Sequence, residues 1–259
     1  MLLLLILRYK NFYNHNLPGS MNLSLVALKV TKHSDKQSIL TALSREWGRV
    51  SLSLPAGNGK AAARIRALTM PLCIIECVTE RKSNREIIPM RQVQQLVPLT
   101  SIHTHPVKQM VAMFIAEILT ALLRDTNEDT ALFDYITRSV KVLDEADAAG
   151  TANFHICFLY QLGRLLGIEP DTSTYTPGSV LDIRDGIWRL TMPLHRDYIS
   201  PQESEAAYRL SRMTFSNYYK YRYTREERNR ILDALLHYLS VHYVSLRNLH
   251  SLDILRAML

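Results

Sequence analysis

The sequence predicts an α+β protein in which a small β-barrel precedes a helical bundle, and two observations carry this prediction. Up to about residue 100 short apolar runs alternate with polar residues, as in strands, whereas beyond it the apolar residues recur with the 3.6-residue period of helices. The charge divides at the same place: residues 1–100 hold 14 Lys and Arg against 5 Asp and Glu, but residues 101–259 hold 17 against 19. We therefore expect one domain over 21–100 and a second over 101–259.

The first 20 residues stand apart from both domains. Residues 1–7 are apolar, but a helix that crosses a bilayer needs about 20 such residues. A secretory signal carries its positive charge before the apolar run, whereas Arg8 and Lys10 follow it. We expect residues 1–20 to be a disordered extension, with either Met1 or Met21 as the native start, and we expect no membrane association.

The sequence pattern of residues 21–100, the β-part, predicts five strands joined by short turns. Gly48 can take the positive φ of a tight turn, and residues 55–60 form a second loop rich in turn residues. Five short strands in about 75 residues are typical of an oligonucleotide-binding (OB) barrel. The predicted strands are 23–30, 38–43, 49–54, 72–79 and 87–97.

The sequence of the second domain predicts helices whose ends carry recognisable signals. Pro106 suits a first helical turn, Gly167 suits a C-terminal cap, and Ser200 and Thr224 each precede a Glu by three residues, as in a capping box. Residues 168–199 carry Pro and Gly around short apolar pieces, which indicates an irregular insertion with a small hairpin. The predicted helices are 105–124, 129–146, 152–166, 201–213 and 225–241.

The excess positive charge of the β-part predicts a nucleic-acid surface. A single-strand-binding barrel needs cations along the phosphates and aromatic faces for stacking. Trp47 is the one aromatic residue of 21–100, and it serves either as a stacking platform or as a plug of the barrel core. The predicted DNA-binding residues are Lys29, Lys32, Lys36, Arg45, Trp47, Arg49, Lys60, Arg64, Arg66, Arg81, Lys82 and Arg85.

The candidate catalytic and metal-binding motifs in the sequence are incomplete. Gly57–Lys60 lacks the first Gly and the Ser/Thr of a phosphate-binding loop, and three cysteines are too few for a four-thiolate zinc site. The basic part has no paired carboxylates of the kind that a two-metal nuclease uses. We therefore expect no cofactor, no metal and no enzyme, which leaves a nuclease as the weak alternative.

Several segments resemble the RecO family of DNA repair proteins in order and spacing. Residues 25–36 and 43–50 (LSREWGRV) resemble its opening, and Leu68–Pro71 before an apolar strand resembles its next element. In the second domain, residues 131–135, 154–170 and 224–230 resemble its helical motifs, so that the resemblance covers about 21–255. Many members carry a four-cysteine zinc element, but residues 171–200 contain no cysteine, which resembles a zinc-free branch from Bacteroides-type bacteria.

The resemblance implies a recombination mediator in the bacterial cytoplasm, associated with the nucleoid. Such proteins bind single- and double-stranded DNA, anneal complementary strands, and help to load RecA together with RecR and single-strand-binding protein. The acidic, Phe-ended tail of the latter would need an apolar pocket with a basic rim. By analogy with the family this pocket comprises Ile118, Leu122, Phe133 and Ile136, with Arg124, Arg138 and Lys141 as its rim.

Two alternatives stay open. Residues 208–230 interleave aromatic and basic side chains, which indicates either a second nucleic-acid or peptide face or the packing of helices with their cations reaching solvent. The whole chain, in turn, is either a DNA-annealing mediator or an interaction scaffold whose basic barrel contacts DNA only incidentally.

Overall fold

The computed structural model describes residues 20–80, 86–124, 126–243, 246 and 248–259. These residues form two compact units. The first holds the described residues up to 98 together with 126–133, and the second holds 99–124 and the described residues from 134 onward. The extension predicted for residues 1–20 lies outside the described residues, except that Ser20 begins the first strand.

The first unit is a curled six-stranded sheet with one helix, so the prediction of five strands was wrong. The expected last strand is divided at Met90 into two short strands, of which the first pairs with β3 and the second with β4. The sheet order is β5-β3-β2-β1-β4-β6. The elements are β1 (Ser20–Lys32), β2 (Gln37–Ser44), β3 (Gly48–Pro55), α1 (Lys60–Leu68), β4 (Ile74–Glu80), β5 (Ile88–Pro89) and β6 (Arg91–Gln95).

The curl of the sheet arises in β1. Residues Ser20–Val26 pair with β4, and residues Leu25–Lys32 pair with β2. The register with β2 shifts between Ala27 and Lys29, because Leu28 is an extra residue on this strand. Such a bulge bends a strand and increases its twist. The concave face encloses a core of buried apolar side chains that includes Leu25, Leu40, Leu52 and Ile75.

Gly48 fixes a sequence-distant segment to the turn between β2 and β3. Its φ is +71°, and a Cβ atom at this residue would lie 2.2 Å from the carbonyl oxygen of Thr126 and 2.3 Å from that of Asn127. The N–H of Arg49 donates to the same Thr126 oxygen at 3.0 Å. The segment around residue 126 therefore packs against the turn only because no side chain is present at residue 48.

The second unit is helical with a small antiparallel sheet in the order β8-β7-β9. Two of its helices, over Pro106–Leu122 and Ala148–Leu165, bury most of their apolar residues, and none of the described helices is long and apolar enough to cross a membrane. The elements, of which α3 begins in the first unit, are α2 (Pro106–Leu122), α3 (Thr130–Glu145), α4 (Ala148–Leu165), β7 (Val180–Asp182), β8 (Ile187–Arg189), β9 (Tyr198–Ile199), α5 (Pro201–Leu210), α6 (Arg225–His242) and α7 (Leu252–Met258).

The helices begin or end where all four signals predict, including α2 at Pro106 and α5 at Pro201, but only one of the two predicted capping boxes forms. Gly167 has φ +76°, and the N–H groups of Gly167 and Ile168 donate to the carbonyls of Arg164 and Gly163, as in a Schellman cap. Thr224 forms a complete capping box with Glu227. Ser200 does not, since its side chain donates to Glu203 instead of accepting from the backbone. The expected hairpin is part of the three-stranded sheet, and the zinc-free branch stays a prediction.

All three cysteines are buried thiols. Burial raises the pKa of the Cys77 thiol to about 12 and that of Cys157 to about 12, and it raises the pKa of Cys73 to about 11. Thiols with such pKa values are protonated at neutral pH and are therefore poor nucleophiles and poor metal ligands.

Replacing Gly48 with Ala is expected to lower the free energy of unfolding by at least about 2 kcal/mol. The new Cβ would both strain the positive φ and collide with two backbone oxygens. Gly57→Ala is the matched control, because a Cβ there meets nothing within 4 Å. Urea unfolding followed by circular dichroism measures both variants, and equal midpoints would contradict the assignment.

Candidate nucleic-acid interface

The turn between β2 and β3 is held rigidly by Ser44 and Glu46. The buried Ser44 hydroxyl oxygen accepts the N–H groups of Glu46 and Trp47 at 3.1 and 3.2 Å. The Glu46 carboxylate accepts the N–H of Ser24 at 3.0 Å and the Ser44 hydroxyl at 2.9 Å. Because these bonds fix the turn to β1, the side chains that it carries start from a fixed backbone.

Three of the predicted DNA-binding residues lie on this turn, and we name them the turn group: Arg45, Trp47 and Arg49. All three are half-buried. The Arg45 guanidinium lies over the ring of Phe133 with 5.8 Å to the centroid, which is a cation–π geometry. Trp47 packs against the core of the sheet. This contact fits the core-plug interpretation of Trp47, and its stacking role stays a prediction.

A second set of predicted cations is named the loop group: Lys29, Lys32, Lys36 and Lys60. Lys32 and Lys36 lie at the opposite end of the β2–β3 hairpin, whereas Lys29 pairs with Thr41 near the middle of β2. All four are exposed. Lys32 forms an ion pair with Asp35, with 2.9 Å between Nζ and Oδ1. The Ala56 N–H donates to the Lys36 carbonyl at 2.9 Å, which joins the β1–β2 loop to the chain that leads into α1.

Helix α1, which the sequence did not predict, carries the remaining predicted DNA-binding cations that the structure describes. Lys60 and Arg64 are four residues apart and therefore share one helix face, and both are exposed. The Arg66 guanidinium donates to the Gly57 carbonyl, so that this side chain ties the helix to the preceding loop. Arg81, Lys82 and Arg85 lie outside the described residues.

The turn group is thus separated by the length of the hairpin from Lys32 and Lys36 of the loop group, with Lys29 between them. In the β2–β3 register Ser44 pairs with Gly48 at one end and Gln37 pairs with Pro55 at the other. Eight-residue strands span roughly 25 Å, a length that corresponds to about seven phosphates of one strand of B-form DNA. Within the described residues, Lys29, Lys36, Arg49, Lys60 and Arg64 form no ion pair, which leaves them available to an anionic partner.

The residues predicted to bind the acidic tail differ in accessibility. Ile118 and Ile136 are fully buried and Phe133 is 3% exposed, so in this structure these side chains belong to the interior and do not line an open pocket. Leu122 is half-buried, and the predicted rim residues Arg124, Arg138 and Lys141 are exposed. The tail-binding role of this set stays a prediction.

The aromatic and basic segment 208–230 is engaged mostly in packing. Tyr208 stacks on Tyr175 with 3.9 Å between ring centroids, and Phe215 stacks on Phe154 with 5.7 Å. Tyr219 is exposed, with the Lys220 ammonium 5.8 Å from its centroid. The packing interpretation therefore accounts for most aromatic residues of this segment.

No group of three or more His, Cys, Asp or Glu residues is placed to hold a metal ion in the part of the chain that the structure describes. The first unit presents half-buried and exposed cations around an apolar core, and such cations suit contact with phosphate groups.

Comparisons with a family model and with known proteins point to the same family. A family model described as "Recombination protein O C terminal" matches residues 103–253. The chain is 34% identical to DNA repair protein RecO of Porphyromonas gingivalis over 236 residues, which cover 89% of this chain and 95% of the relative. It is 31% identical to DNA repair protein RecO of Bacteroides fragilis over 232 residues, with 89% and 96% covered. A relative of the same name from Azobacteroides pseudotrichonymphae is 28% identical, with 90% and 96% covered.

Replacing Glu46 with Ala is expected to lower the free energy of unfolding by about 1.5–3 kcal/mol. The change leaves the Ser24 N–H and the Ser44 hydroxyl without their charged acceptor. Glu80→Ala is the control, since it removes only an exposed ion pair with Arg91, which contributes about 0–1 kcal/mol. Chemical unfolding compares the two, and a larger loss for Glu80→Ala would contradict the role of Glu46.

Proposed function

The chain belongs to the recombination protein O family, RecO, and from this premise we propose that it acts in DNA repair and homologous recombination as a mediator that binds DNA. The relatives are named DNA repair proteins, and they match along about 90% of the chain. The single observation that supports DNA contact by this chain is the set of exposed cations of the first unit that form no ion pair within the described residues.

We propose further that the first unit is a barrel of the OB type. The strands β5 and β6 are the two edges of the sheet and do not pair with each other. They are consecutive in the chain, however, and β5 pairs with β3 while β6 pairs with β4. The Thr79 hydroxyl on β4 also donates to the Pro89 carbonyl on β5 at 3.0 Å. These pairings support closure of the sheet through residues 88–95, which is the arrangement that a small barrel requires.

The DNA-binding surface in this proposal is the turn group together with the loop group and Arg64. Contacts of Lys and Arg with phosphates do not depend on sequence, and they leave the base edges unread. Exposed bases on two strands whose phosphates are neutralised can then pair, so that annealing requires neither ATP nor a metal ion. Binding to single- and double-stranded DNA, cooperation with RecR and single-strand-binding protein, and assistance to RecA loading complete the proposed role.

We also propose that the exposed cations Arg124, Arg138 and Lys141 of the second unit receive the acidic tail of single-strand-binding protein. Their exposure supports this assignment, but the burial of Ile118 and Ile136 means that the apolar end of the tail would have to be received by other side chains or after a local opening. The DNA site and the tail site are then separable by mutation.

Charge reversal on α1 is expected to weaken DNA binding selectively. Lys60→Glu together with Arg64→Glu should lower the affinity for single-stranded DNA at least about tenfold at low salt and reduce the salt-dependence slope by about 1.4, because two phosphate contacts are lost. Fluorescence anisotropy with a labelled oligonucleotide across a salt series measures both quantities. Annealing of complementary oligonucleotides without ATP should slow in parallel.

The matched control is Arg138→Glu together with Lys141→Glu, which reverses two exposed charges on α3. This variant should retain DNA binding and lose affinity for a peptide with an acidic, Phe-ended tail, whereas the α1 variant should retain peptide binding. A scaffold with only incidental DNA contact would anneal DNA equally well as wild type and as the α1 variant, and that outcome would overturn the mediator proposal.

A further inference from the structure

The loop between β8 and β9 presents three large apolar side chains to solvent. Leu190 is 76% exposed, Met192 is 58% exposed and Leu194 is fully exposed. We name residues 190–194 the apolar tip. Monomeric proteins seldom expose several large apolar side chains on one short segment. Where such a cluster of exposed apolar side chains occurs, it commonly marks an interaction site.

The apolar tip is held in place by polar side-chain contacts on both of its sides. Arg189 and His195, which flank the tip, both direct their side chains to the buried carboxylate of Asp182, at 3.2 and 3.4 Å. At the base of the loop, Arg184 forms an ion pair with Asp197 at 2.7 Å. Because the loop is fixed at these points, its apolar side chains stay in solvent and do not fold back onto their own unit.

The same unit contains an open apolar groove of about 530 Å³ among α4, α5, α6 and the small sheet. Its floor includes Leu159, Leu181, Ile199, Ile231 and Leu239. This volume is in the range of cavities that receive a few side chains or a small ligand, roughly 300–1,000 Å³. The apolar tip contributes no side chain to this lining.

The charges around the groove and on the loop that form no ion pair among the described residues have opposite signs. The groove is bordered by four carboxylates and two guanidinium groups: Glu169, Glu203, Glu205, Glu227, Arg209 and Arg230. Two of these carboxylates are already paired, Glu205 with Arg209 at 2.6 Å and Glu169 with Arg164 at 2.9 Å, so that Glu203 and Glu227 remain beside Arg230. The loop from residue 190 to residue 197 contains one acidic residue, Asp197, which is paired with Arg184, and one arginine, Arg196, which is exposed and forms no ion pair among the described residues.

From this complementarity we propose that the groove of one molecule receives the apolar tip of a second copy of this chain. The apolar side chains would fill the groove while Arg196 approaches its acidic border. A contact between two different surfaces of the same chain is head-to-tail, so that each molecule offers one tip and one groove. Self-association of this kind would place several DNA-binding units side by side.

The test is sedimentation velocity of the full chain over about 1–100 µM, a range suited to a small interface. The wild type should show a mass that rises with concentration. Leu190→Glu together with Leu194→Glu removes the tip, and Ala206→Trp fills the groove from its α5 wall; each variant should be monomeric throughout. Should Ala206→Trp fail to fold, Glu203→Lys together with Glu205→Lys replaces it.

Mixing the two variants distinguishes a head-to-tail contact from other modes. The tip variant retains its groove and the groove variant retains its tip, so that a 1:1 mixture should form dimers and nothing larger. Ile254→Glu, at an exposed apolar residue of α7, is the control and should associate like the wild type. Circular dichroism verifies that each variant is folded.

Three results would overturn the proposal: a wild type that is monomeric at every concentration, a tip variant that associates like the wild type, or a mixture that stays monomeric. Binding of the wild type to anionic lipid vesicles, with loss of binding in the tip variant and no self-association, would assign the tip to a lipid surface instead.

Discussion

The first unit depends on a close approach between two backbone segments that are about 80 residues apart. The carbonyl oxygens of Thr126 and Asn127 occupy the space in which any residue other than glycine at position 48 would place its Cβ. The Arg49 N–H satisfies one of these oxygens. Since the turn is bonded through Glu46 to β1, the contact connects three parts of the chain and fixes the backbone from which the turn group extends.

The same turn shows how apolar packing and charge are combined at one place. Trp47 packs on the core, whereas Arg45 lies over the buried ring of Phe133. A guanidinium held over an aromatic face keeps its charge but loses rotational freedom, and a ligand that binds it therefore incurs a smaller entropic cost. The loop group consists of four exposed lysines, of which Lys32 forms an exposed ion pair with Asp35. The turn group thus offers an ordered arginine contact and the loop group offers adaptable lysine contacts.

Much of the architecture could be predicted from periodicity, but the exceptions have identifiable physical causes. The sequence did not predict helix α1 (KAAARIRAL) for two reasons. Ala62 is the one buried residue of the helix, and the residue before it is a glycine that provides no side-chain cap. The last predicted strand is divided because it exchanges one partner strand for another at Met90, a tertiary effect that alternation cannot reveal. The capping box at Ser200 failed because the same two side chains can bond to each other instead.

The candidate site was predictable in its chemistry and not in its layout. The count of cations located the basic unit, but only the strand register separates the turn group from the loop group. Apolar periodicity alone could not distinguish the buried Ile118 and Ile136 from pocket residues, because both kinds of residue recur on one helix face. The apolar tip was also missed, since three apolar residues at alternate positions are typical of a strand with one buried face.

The buried thiols have a practical consequence for experiments on this chain. A maleimide reacts with thiolate, and none of the three native cysteines supplies it near neutral pH while the protein is folded. A single cysteine introduced on the surface can therefore be labelled in the otherwise unmodified sequence. Conversely, the reaction of a native cysteine with maleimide reports unfolding. Reaction at Cys77 reports unfolding of the β-sheet unit, and reaction at Cys157 reports unfolding of the helical unit, so that the two rates can be measured separately.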